Sequence, residues 1–300
     1  MRFLKETHVD FLAMRRYGMV VSSALILAGL ISLMLQGGPK LSIDFEGGTL
    51  VQIRFQEEAD IGKIRSALES LDLGKSDVQS FGAPNEILIR LQQDQETEKL
   101  TDDLREALIT FMPDETPDFR RIETVGPKIG AELSGKAFLA IVSAIIGILI
   151  YISIRFEFKF AIGAIAALVH DVVITLGIFS IMNYEISLAI IAAFLTIVGY
   201  SLNDTIVVFD RVRENLKRLK NEAQISVFNK SINESLSRTV ITSLTTFVVV
   251  FTLWLAGGEV IRYFAFAMMV GVIVGTYSSI FVASPVVVLW SARFSATQSK

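Results

Sequence analysis

Apolar residues crowd into six stretches, and polar residues fill the segments between them. A bilayer core of roughly 30 Å needs about 20 apolar residues as helix. The stretches run Tyr17 to Leu35, Ala137 to Ile154, Phe160 to Met182, Ile186 to Phe209, Thr239 to Ala256 and Tyr263 to Trp290. The pattern predicts a polytopic α-helical membrane protein with six transmembrane helices. A tail (1–16), a polar block (36–135), a loop (210–238) and a second tail (291–300) complete the chain.

Within the polar block the period changes. Thr49 to Phe55 alternates and is rich in β-formers, which predicts a strand. Asp60 then caps a helix with Ile61, Ile64, Ala67, Leu68 and Leu71 on one face, ended by Gly74. Val78 to Phe81 and Glu86 to Leu91 predict a strand pair turning at Gly82-Ala-Pro-Asn85. A second helix fits Gln95 to Phe111, and Phe119 to Val125 gives a last strand. The order β-α-β-β-α-β predicts an α+β ferredoxin-like domain between the first two spans. Its edge strand could take an extended peptide by strand addition.

Charge orients the chain. The block 36–135 holds 20 acidic and 11 basic residues, whereas 210–238 holds seven basic and four acidic. Arg2, Lys5, Arg15, Arg16, Arg155, Lys159, Arg293 and Lys300 fall on the side of the basic loop if there are six spans. Basic residues near span ends stay in the cytoplasm. Both termini are therefore expected in the cytoplasm, with 36–135 on the opposite side of the membrane. Arg15-Arg16 resembles a twin-arginine signal, but no small-x-small cleavage site follows the first stretch, so it reads as an uncleaved anchor.

Polar groups within the spans need a reason, since each charge costs on the order of 3 kcal/mol on insertion scales. The third stretch carries His170 and Asp171, and the fourth carries Asn203 and Asp204. The fifth begins at Arg238 and continues with Thr242, Thr245 and Thr246, offsets that share one helical stripe. Such a stripe faces protein or water rather than lipid. Asp204 and Arg238 flank the same loop, so they are expected at similar depth and within pairing reach. A carboxylate that exchanges an arginine for a proton is the unit of a proton relay. Plainer readings stay open. Arg238 could be a positive flank that snorkels to the interface, and Asp204 could anchor a helix end. Asp171 could be held by Thr175 or His170, and His170 could be a satisfied buried histidine.

Gly271, Gly275, Ser279 and Ala283 recur every four residues, a smooth ridge for close packing against the bundle or a partner. Pro285 is expected to kink the last turns. Leu216, Leu219, Ile225, Phe228, Ile232 and Leu236 suggest an interfacial amphipathic helix broken near Asn221.

Composition removes several chemistries. There are no cysteines and two histidines, so thiol catalysis and zinc-thiolate or multi-histidine metal sites are not expected. No Walker-type loop, HExxH or serine elbow occurs. The chain is not expected to be an enzyme, and no cofactor is expected beyond the proton as coupling ion.

One span, a large outer domain and five more spans resemble half of a resistance-nodulation-division (RND) transporter. Several blocks resemble more closely the SecF family, the smaller-subunit family of the bacterial SecD–SecF export complex. They are Ser42-Ile-Asp44-Phe45-Glu-Gly47-Gly48, Glu123-Thr-Val-Gly126-Pro127-Lys-Ile-Gly-Ala-Glu132 and Ala167-Leu-Val-His-Asp171. The block from Gly199 to Asn215 and Leu236-Ser-Arg238-Thr-Val-Ile-Thr-Ser-Leu-Thr-Thr246 complete the set. The resemblance implies protein export driven by the proton motive force, with Asp204 and Arg238 in the proton path. It implies a place in the bacterial inner membrane with 36–135 periplasmic, SecD as heterodimer partner, the SecYEG channel, the SecA motor and YajC as neighbours, and unfolded preprotein as cargo. Membrane lipid surrounds the spans, and no nucleic-acid partner is expected.

Three other readings compete. A structural subunit would stabilise SecD without conducting protons, and would depend on the Gly271/Gly275 ridge. A small-molecule exporter of the general RND type usually carries both halves in one chain. An intramembrane aspartyl protease needs paired carboxylates sharing a proton, and the expected Gly-x-Gly-Asp context is absent before Asp204.

Overall fold

The computed structural model describes residues 7–74, 76–91 and 97–298. Arg2, Lys5, Lys300 and the predicted helix start at Gln95 lie outside these residues. The chain divides into two compact units, 41–139 and the remainder.

Among the described residues, the unit 41–139 is a four-stranded antiparallel sheet backed by two helices. Its strands are β1 (Gly48–Arg54), β2 (Asp77–Phe81), β3 (Ala83–Leu91) and β4 (Asp118–Val125), in the order β2-β3-β1-β4. Each strand joined through a helix to the next leaves room for one strand between them, which is the ferredoxin-like split βαβ arrangement. The alternation in β1 works as expected: Val51 and Ile53 point inward and meet Ile87 and Ile89 of β3. Helices α3 (Ile61–Ser70) and α4 (Thr97–Phe111) cover that face with Ile64, Leu68, Leu100, Leu104 and Leu108. Asp60 caps α3 by accepting from the Gly62 and Lys63 amides. The hairpin is tighter than the sequence suggested. Gly82 alone turns the chain at φ 75°, so Ala83, Pro84 and Asn85 already belong to β3.

A short helix, α2 (Ile43–Glu46), begins this unit and is capped by the Ser42 hydroxyl, which accepts from the Asp44 amide. Gly47 follows at φ 77°, a conformation that disfavours any side chain. A Cβ on Gly130 would lie 2.8 Å from the Phe45 carbonyl oxygen, and one on Gly47 would lie 3.1 Å from Pro127. The two signature blocks therefore pack backbone on backbone. Arg90 at the end of β3 secures the joint, bonding Glu46 at 2.6 Å and the Leu41 carbonyl at 2.6 Å. Pro127 opens α5 (Pro127–Arg155) at the first helical position, where no amide is needed.

The remaining unit holds α1 (Arg15–Leu35), α6 (Phe158–Ile181), α7 (Leu188–Arg218), α8 (Gln224–Ala256), α9 (Gly258–Ser278) and α10 (Ser284–Gln298). With α5, and with α9 and α10 continuous, six helical rods among the described residues are long and apolar enough to cross a membrane. Helices α6, α7 and α9–α10 form the centre, whereas α1, α5 and α8 leave most of their spanning surface uncovered. Phe156, Phe160, Phe209 and Phe228 fill the core at one end, with the Phe160 and Phe209 rings 4.9 Å apart.

One expectation needs correction here. Residues 210–238 are not a separate interfacial helix. They are the ends of α7 and α8, which run on beyond the apolar stretches and meet at a turn over 219–223. Hydropathy marks the lipid-facing length of a helix, not its end, and the paired charges described below carry the helices onward. Near Pro285 the chain forms a π-helical turn, Ser279–Ala283. Proline has no amide to donate one turn back, and the Ser284 hydroxyl bonds the Ser279 carbonyl across this wider turn at 2.9 Å.

Candidate functional site

Two buried carboxylates lie where α6, α7, α8 and α9 meet. Asp204 on α7 is 1% exposed. Its Oδ2 accepts from Ser243 of α8 at 3.1 Å and Thr276 of α9 at 3.2 Å, and those two hydroxyls are 2.7 Å from each other. Asp171 on α6 is also 1% exposed. Its Oδ2 accepts from Ser201 of α7 at 2.5 Å and Ser278 of α9 at 2.8 Å, and its Oδ1 lies 2.8 Å from Nδ1 of His170. The other ring nitrogen of His170 contacts Ser22 of α1 at 2.8 Å. Thr175 bonds the Asp171 backbone carbonyl, not its carboxylate. Helices α7 and α9 thus each serve both sites, through Asp204 and Ser201 on one and Thr276 and Ser278 on the other.

Close packing makes these bonds possible. A Cβ on Gly275 would lie 2.9 Å from Cβ of Ser201, and one on Gly271 would collide with Ile197. Ser279 bonds Thr205 at 2.9 Å. The small-residue ridge therefore packs on α7 of the same chain.

The structure does not bring Arg238 to Asp204. Arg238 is exposed and, among the described residues, forms no ion pair; Thr242 and Thr245 bond carbonyls of their own helix. Asn203 is likewise exposed. Arg238 and Ser243 stand five residues apart, about 140° around the helix, so one cannot share the face of the other. The stripe read from Arg238, Thr242 and Thr245 is the outer one. The inner polar face of α8 carries Ser231, Ser235, Thr239 and Ser243 instead. Their strict four-residue spacing was visible in the sequence but ran through residues assigned to a loop.

The charges at the C-terminal end of α7 are paired with other elements as well as with each other: Asp210 meets Arg155 at 3.2 Å. Arg211 bonds Glu214 and Glu234 at 2.6 Å each, Asn215 bonds Glu234 at 2.7 Å, and Arg218 lies 3.5 Å from it. Glu234 therefore staples α8 to α7. Glu234→Ala is expected to cost about 1 kcal/mol, because the group is partly exposed, with increased proteolysis at 219–223 as the check.

Comparison with known proteins shows which family and fold this chain resembles. Residues 107–293 match the family model for the protein export membrane protein SecD/SecF, C-terminal, and residues 32–59 match that for the SecD/SecF GG motif. The chain is 48% identical to the protein translocase subunit SecF of Calditerrivibrio nitroreducens, covering 95% of this chain and 94% of that one. It is 48% identical to the SecF of Magnetococcus marinus, covering 96% and 93%. The crystal structure of SecDF from Thermus thermophilus superposes with a TM-score of 0.87 at 38% identity, covering 96% of this chain. The chain spans 39% of that solved chain. A SecDF structure in a super-membrane-facing form gives a TM-score of 0.72.

Proposed function

The chain belongs to the SecF family of protein translocase subunits, and from that premise we propose that it couples proton entry to preprotein export through Asp204. The observation that carries this reading is the bonding of Asp204. An ionised carboxylate only accepts hydrogen bonds, whereas the protonated acid must also donate one. Asp204 joins Ser243 and Thr276, which stand on two different helices. Gain or loss of a proton therefore rearranges bonds that tie α7, α8 and α9 together. Such a local change can bias a two-state packing of helices.

The half-bundle needs a second half. Arg238, Asn203, Thr242 and Thr245 lie on surface that lipid would not solvate. The family assignment supports SecD as the covering partner, beside SecYEG and SecA, with YajC as a further neighbour. Arg238 then acts at the joint between halves, not within this chain. Asp171 and His170 hold the pathway's walls. The cytoplasm takes both termini and the 219–223 turn, as the basic residues require, which leaves 36–135 periplasmic.

The test is precursor maturation in cells that depend on this chain. With Asp204→Asn, precursor is expected to accumulate while chain and partner levels stay normal, and proton flux through the complex falls on the order of a hundredfold, the scale of a lost proton-transfer group. Full export by Asp204→Asn would sink the proton role.

A further inference from the structure

We propose that the inner face of α8 is a hydrated hydroxyl ladder that carries protons between Asp204 and the cytoplasm. The inference rests on the proton role proposed for Asp204 and names the route that serves it. Ser231, Ser235, Thr239 and Ser243 stand four residues apart, which aligns them on one face of α8. They span about 18 Å, with about 6 Å between neighbours. At one end Ser243 bonds the Asp204 carboxylate. At the other end Ser231 accepts from the Asn215 amide at 3.0 Å, and Asn215 also donates to Glu234, which is partly exposed.

Those two bonds fix the register of the seam. As α7 advances from 204 to 215, α8 runs back from 243 to 231. Val208 then stands opposite Thr239, and Val212 opposite Ser235. One wall is hydroxylic and the other aliphatic, and all four positions are buried.

A second observation is independent of the spacing. Thr239 is 2% exposed, and among the described residues its hydroxyl has no hydrogen-bond partner; the Asn215 side-chain oxygen is buried without one among them as well. Both lie on this seam. A threonine in a helix normally bonds the carbonyl one turn back, as Thr242 and Thr245 do. Thr239 keeps its hydrogen-bonding capacity unused, at the rung next to Ser243. Buried polar groups of this kind take water as their partner. A gap of about 6 Å between two hydroxyl oxygens is the span of one bridging water.

The ligand is therefore water and the cargo a proton. Each hydroxyl accepts a proton on its oxygen as it releases its own to the next water, Ser231 and Ser235 first turning from the backbone carbonyls they bond, so no carbon–oxygen bond breaks and the ladder ends unchanged. The proton leaving Asp204 emerges beside Asn215 and Glu234.

The experiment uses the complex of this chain with SecD, reconstituted in vesicles under an imposed pH gradient. Thr239→Val keeps the side chain's shape and removes its hydroxyl; Thr239→Ser keeps the hydroxyl; Asp204→Asn runs in parallel. Thr239→Val is expected to lower proton flux about tenfold or more, Thr239→Ser to restore it, and the melting temperature of Thr239→Val to stay level or rise. Normal flux in Thr239→Val beside lost flux in Asp204→Asn overturns the ladder and leaves the proton role of Asp204 standing. Normal flux in Asp204→Asn removes the proton role and the ladder with it. Equal losses in both Thr239 variants with a lowered melting temperature would make Thr239 a packing residue and also overturn the proposal.

Discussion

Asp171→Ala is expected to destabilise the membrane unit by about 3–5 kcal/mol, the usual cost of removing one partner from a buried charged cluster. The carboxylate gathers Ser201, Ser278 and His170 from three helices, and His170 extends the set to Ser22 of a fourth. Alanine leaves two seryl hydroxyls and an imidazole in a region with no solvent access. Asp171→Asn keeps the volume and one acceptor oxygen, so it is expected to lose roughly half as much. Denaturation of the purified chain by sodium dodecyl sulfate would rank the three proteins. Equal stability of wild type and Asp171→Ala would mean that the cluster contributes nothing to holding the helices together.

Gly29→Leu is expected to lift α1 from α6. A Cβ on Gly29 would lie 2.6 Å from the Gly177 Cα, and one on Gly177 would lie 2.8 Å from the Gly29 Cα. Backbone cannot move aside as a flexible side chain can, so the helices must separate. The expected cost is about 3 kcal/mol, the upper end of ordinary overpacking, because the neighbouring Ser32–Ser180 bond of 2.8 Å is lost too. The absence of native cysteines makes the check clean. Ser32→Cys with Ser180→Cys should cross-link readily in an otherwise unchanged chain and poorly beside Gly29→Leu. Undiminished cross-linking would show that α1 accommodates the side chain without moving.

The sequence discloses some of this architecture more readily than the rest. Membrane spans are local: some 20 apolar residues identify themselves, and all six rods follow from that alone. Strand alternation in Thr49 to Phe55 is equally local. Bonding partners are not. Ser243 and Thr276 are remote from Asp204 in the chain, and only the packing of three helices brings them to one carboxylate oxygen. Arg238 shows how a local argument can mislead. Its depth follows from the loop that precedes it, but its direction depends on which face of α8 meets α7. Ser231 and Ser235 were hidden for a related reason. Charges around them suggested solvent, while Glu234 was drawing those charges into pairs that bury the serines beneath. Gly29 and Gly177 are unremarkable singly, and their meaning lies in facing each other.

The joint at Gly47 and Gly130 has a consequence for how this chain can be rebuilt. Gly48 pairs with Val125, so the first and last strands of the sheet start and finish side by side. A domain whose ends coincide is a cassette: it can be lengthened, exchanged or replaced without changing the distance its flanking helices must keep. The sheet's outer strands, β2 above all, can therefore be reshaped without moving the two chain ends that lead to the membrane-spanning helices.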